Sequence, residues 1–266
     1  MCNGIDQLAG AVGKALEVAP DLYDDALKPA AQESGKALSR IPKLINAVLS
    51  PLDIWILNKE YNVEKTKKLI ANKLEHIEPD KIVSPEPYVA VPAIQAISYS
   101  MNSEELREMY ANLLANSMNS DFKDSVHPAF VEIIKQLSPF EATLLKKFTD
   151  TKSFPIVVIR RCIDEKRIYG EDCQRHIMNP QLGLTISNLS NFATAIDNLS
   201  RLNLINVDYE KSYKEKSYYN DILNSSLVSS FKQSIESSNY CNVFDIQYGM
   251  LEISDLGKSF INICII

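Results

Sequence analysis

Glycine is scarce, with 8 residues in 266. That disfavours a fold built from many tight turns, because glycine is the residue that reaches the conformations such turns need. Five cysteines (Cys2, Cys162, Cys173, Cys241 and Cys264) form no Cys-x-x-Cys pair and no Cys/His group at ligand spacing. No structural zinc site is expected from them, and free thiols in a reducing cytoplasm account for the pattern. His76, His127 and His176 are the three histidines, and no serine lies in a Gly-x-Ser-x-Gly elbow. Neither a phosphate-binding Gly-x-x-x-x-Gly-Lys loop nor a Gly-x-Gly-x-x-Gly turn is present. Met1 to Gly10 lacks the basic and apolar regions of a secretory signal. The most apolar window, Leu44 to Leu57, contains Asn46, Pro51 and Asp53 and falls short of the ~20 apolar residues of a membrane span. Nor is there a surplus of cations. The 28 Lys and Arg face 34 Asp and Glu, for a net charge of −6, so no general affinity for polyanions is expected.

What is present is ordinary globular material, 45% apolar and 23% charged, in a chain long enough for one large domain or two. Helical spacing dominates the first half. Asp21 to Leu49 reads as one or two helices interrupted by Pro29 and Pro42, and Glu60 to Ile77 as a charged helix. The prolines at 79, 85, 87 and 92 predict an extended connector, with Pro92 opening a short helix over Ala93 to Tyr99. Asn102 or Ser103 can cap the clearest helix, where Leu106, Met109, Tyr110, Leu113 and Leu114 fall on one stripe and Glu104, Glu105, Glu108 and Asn112 lie off it. Further helices are read from His127 and from Ser138.

Beyond Ser138 the pattern changes. Phe154 to Ile163 is a β-branched run suited to a strand or a short buried helix. An amphipathic helix over Ser187 to Leu202, a strand over Leu204 to Tyr209, a polar insertion with a helix near Asn220 to Phe231, a strand over Val243 to Ile253 and a last helix follow. The stretches AIDNLSRLNLINV (Ala195 to Val207) and LEISDLGKSFI (Leu251 to Ile261) resemble winged-helix proteins. The expected fold class is therefore mainly α: a helical domain over 1–137, then a winged-helix-like α+β domain over 138–266.

Four segments carry a further resemblance: DLYDDALKPAAQESGKAL (Asp21 to Leu38), PDKIVSPEP (Pro79 to Pro87), EELREMYANLLANSM (Glu104 to Met118) and, most specific, HPAFVEIIKQLSPFEA (His127 to Ala142). Together they resemble the abortive-infection alpha family. The resemblance implies a bacterial source and a role in phage defence. It transfers no catalytic residues, because the family carries no settled enzymatic activity.

Three kinds of chemistry compete. Glu105, Arg107, His127 and Glu132 could do acid–base work or hold a metal, but helix capping at His127 and a solvated acidic helix face explain them more simply. Asn188, Asn191, Asn198 and Arg201 could read base edges from the helix over 188–202. Against that, Ser138 to Ile266 holds 14 Lys and Arg and 15 Asp and Glu, without the cation excess of a DNA reader. Leu44 to Leu57 with Trp55, followed by Lys59, Lys65, Lys67, Lys68 and Lys73, has the form of an interfacial membrane segment, diluted by Glu60, Glu64 and Glu75. The expectation is a cytoplasmic phage-defence protein, not an enzyme and without cofactor or metal. It would act on a phage or host protein or by self-association, including as a homodimer, through a surface drawn from Glu105, Arg107, His127, Glu132, Asn191, Asn198 and Arg201. A winged-helix DNA-binding regulator and a membrane-acting toxic effector with peripheral membrane contact stand as alternatives.

Overall fold

The computed structural model describes residues 60–97, 100, 102–149, 151–164, 166–167, 169–237 and 242–266, with the side chains of 60–66 and 79 outside that description. The helices expected over Asp21 to Leu49, the apolar window with Trp55, Cys2 and Cys241 lie outside the described residues. The chain divides into two compact units, one of residues up to Pro139 together with Asn262–Ile266, the other of Phe140–Ile261.

The first unit is helical. Helix α1 (Glu60–Leu74), α2 (Pro87–Ile97), α3 (Glu104–Ser117) and α4 (Ala129–Lys135) follow in order, and α3 packs against the other three. Its stripe residues Met109, Tyr110, Leu113 and Leu114 are fully buried, as their spacing requires. Ser103 rather than Asn102 provides the cap, accepting from the Leu106 amide. Between α1 and α2 the chain makes a 3-10 turn over Pro79–Lys81, runs on without helix to Glu86, and is pinned. Ile82 bridges Asn119, the Val83 amide donates to Met118 at 2.9 Å, and Lys81 and Lys123 pair with Asp121 and Glu86. The extended reading fails at the Pro79–Lys81 turn and again from Pro87 onward, where α2 begins and runs through Pro92. Pro87 sits at the helix start, where its missing N–H costs nothing. The apolar positions Val89, Ala90, Ala93, Ile94 and Ile97 supply enough burial to carry the helix past the second proline.

Asn112 is not off the buried face. It is 3% exposed, and its Nδ2 donates to the Cys264 carbonyl at 2.9 Å, while Asn116 Nδ2 donates to the Ile263 carbonyl at 2.8 Å. These carbonyls end the last helix of the chain, where the helix itself offers no partner.

The second unit corrects the expected fold class. Strands β1 (Ser153–Cys162) and β2 (Gly170–Ile177), helix α6 (Leu189–Arg201), β3 (Ile205–Asp208), helices α7 (Asn220–Leu223) and α8 (Ser226–Glu236), and β4 (Val243–Ile253) follow helix α5 (Pro139–Lys146), with helix α9 (Asp255–Cys264) closing the chain. The strands form one antiparallel sheet in the order β2-β1-β4-β3. The protein is thus α+β, not mainly α. A winged-helix-like half would place a short hairpin after β3. Instead the chain leaves β3 for a helical turn and two helices, and β4 pairs with β1 from Val243 opposite Cys162 to Glu252 opposite Ser153. Strand β1 is central, and Ile156 to Ile159 are buried on both its faces.

Strand β2 carries a bulge. Val157 faces Ile177 and Ile159 faces Gln174, so Arg175 and His176 together oppose a single β1 residue. His176 absorbs the extra length at φ 61°.

Candidate functional site

The seven residues proposed from sequence do not form one site. Glu105, half-buried on α3, accepts the Ser103 hydroxyl at 2.9 Å. Arg107 lies two positions on and is 4% exposed. His127 is exposed, its Nδ1 accepts from the Ala129 amide at 3.1 Å, and its ring leans on Phe130. Glu132 is exposed and pairs with Lys135 at 2.7 Å. A cavity of about 550 Å³ in this unit is lined by Ala96, Ser100, Asn102, Ser103, Leu106, Lys135 and Pro139, and by none of those four.

On α6, Asn191 is exposed, but the other polar candidates are engaged internally. Asn198 Nδ2 donates to buried Glu141 at 3.0 Å, and its Oδ1 accepts from Arg201 Nε at 3.0 Å and Nη2 at 2.8 Å. Asn188 likewise donates to the Gly183 carbonyl and accepts from the Thr185 amide. Among the described residues no group of three or more His, Cys, Asp or Glu is arranged to hold a metal.

Sequence reasoning missed two constellations, each assembled from distant segments. The bulge turns His176 inward, 6% exposed. Its Nε2 lies 3.0 Å from Asp197 Oδ1 on α6 and its Nδ1 3.0 Å from the Tyr209 hydroxyl just after β3. The Tyr209 oxygen also accepts the His176 amide at 3.2 Å. One proton assignment satisfies all three bonds: Nε2–H donates to the carboxylate and the phenol donates to Nδ1. Burial pulls the imidazole below its usual value, with Asp197 opposing, and pushes the Tyr209 phenol up to about 12. This pattern holds a neutral ring in place and fastens β2 to the far end of the curled sheet.

The second constellation lies at the turn end of the β1–β2 hairpin, beside the 163–169 connection. Arg160 faces Asp172 at 3.3 Å and Asp245 at 3.9 Å, Arg167 pairs with Asp245 at 3.1 Å, and Arg161 pairs with Glu171. Cys162 is buried beneath these charges. Burial, reinforced by Asp245, pushes its thiol up despite Arg160, so the neighbouring arginines do not activate it. Beyond this lattice Ile163 and Tyr169, joined by the Ile163 amide donating to the Tyr169 carbonyl at 3.1 Å, are 65% and 67% exposed. A rigid, charge-laced base therefore holds two large apolar side chains out into solvent. Interfaces concentrate their binding energy in such groups.

Fold and site together define a two-unit α+β protein whose best-formed candidate surface is a braced hairpin tip. The chain matches the abortive infection alpha family model over residues 58–264 and belongs to that family. No curated protein matches it. A solved structure described as that of an uncharacterized protein from the hydrocarbon-degrading marine bacterium Alcanivorax borkumensis SK2 is 18% identical, covering 50% of this chain and 90% of its own, with a TM-score of 0.33. No helix among the described residues is long and apolar enough to cross a membrane.

Proposed function

We propose that this is a phage-defence protein of the abortive-infection type that acts by binding a protein partner, not by catalysis, and that the β1–β2 hairpin tip is the contact surface. The observation that carries the reading is the exposure of Ile163 and Tyr169, at 65% and 67%, just beyond the ends of strands braced by the Arg160–Asp172, Arg161–Glu171 and Arg167–Asp245 pairs. Apolar side chains on a preorganised element lose little conformational freedom when a partner covers them. A photo-crosslinking amino acid at position 169, in cells sampled before and during infection, tests it. The expected result is a discrete adduct whose mass identifies a phage protein, a host protein or a second copy, and which is absent when the crosslinker replaces Ile186, another exposed apolar residue. Equal labelling from both positions, or none from position 169, contradicts the proposal.

A further inference from the structure

We draw no further inference here: the strongest candidate, the cavity of about 550 Å³ at the start of α3 in the helical unit, has its Ser103 engaged in capping α3 and its Lys135 paired with Glu132, which leaves a helix N-terminus with nothing among the described residues that points to a ligand.

Discussion

Replacing Gly257 with alanine should damage the second unit out of proportion to the single methyl added. Gly257 lies in the first turn of α9, where its amide donates to Ser254 Oγ at 2.8 Å. The Ser254 hydroxyl donates in turn to the Asn203 carbonyl at 2.5 Å, and the Ser254 amide to the Leu204 carbonyl at 3.1 Å. This clamp presses the helix start onto the chain entering β3. A Cβ at 257 would overlap the Leu204 carbonyl oxygen and lie 2.9 Å from its carbon and 3.0 Å from Ile253 Cγ2, where carbon neighbours settle at about 3.5–4.0 Å. The main obstacle is backbone, so no rotamer change relieves it. Overpacking costs about 1–3 kcal/mol, and opening the clamp about 1 kcal/mol more. The better helix propensity of alanine returns about 1 kcal/mol. A net loss of about 2 kcal/mol is expected, read in urea unfolding as a midpoint lowered by about 1 M at an m-value of about 2 kcal/mol/M. A variant within about 0.5 kcal/mol of wild type would show that the turn gives way freely and that the clamp is not a constraint.

Two further perturbations address other parts of the chain. Asn112→Ala leaves the Cys264 carbonyl without its side-chain donor in a buried setting and should cost about 1–3 kcal/mol, measured by chemical unfolding; a neutral result would mean that water replaces the amide. His176 is held neutral by burial, whereas the unfolded chain takes up its proton near pH 6.5. The unfolded state then binds more protons, so stability falls as pH drops through that value and continues to fall until the lowered folded pKa is reached. His176→Asn, which tolerates the left-handed φ, should lose this part of the slope in melting curves between pH 7 and 5; an unchanged slope would assign the acid sensitivity to other groups.

The chain's regular elements were legible where one face is buried. The α3 stripe carries its periodicity openly, and Ser254 with Gly257 marks the start of α9; the β-branched run of β1, buried on both faces, shows no alternation and fits a strand or a short buried helix alike. Strand β2 was not legible, because Gly-Glu-Asp-Cys-Gln-Arg-His-Ile lies at a sheet edge and shows no apolar alternation. The helix through Pro92 was hidden by a breaker that its apolar neighbours override. Asn112 and Asn198 look like solvent residues, yet both satisfy acceptors brought close only by the fold, one a helix-end carbonyl 152 positions away and the other the Glu141 carboxylate. The hairpin tip was missed for a related reason. Ile163 ends an apolar run that reads as buried, and only the ion-pair lattice shows where the strand pair stops and the exposed tip begins.

The central claim, that Ile163 and Tyr169 are how the protein meets its partner, is tested most directly by survival of cells expressing wild type or the Ile163→Ser, Tyr169→Ser double variant across a range of phage multiplicities. Wild type should protect the culture at low multiplicity and lose the infected cells at high multiplicity, and the double variant, with unchanged melting and expression, should protect at neither. Full protection by the double variant would contradict the account.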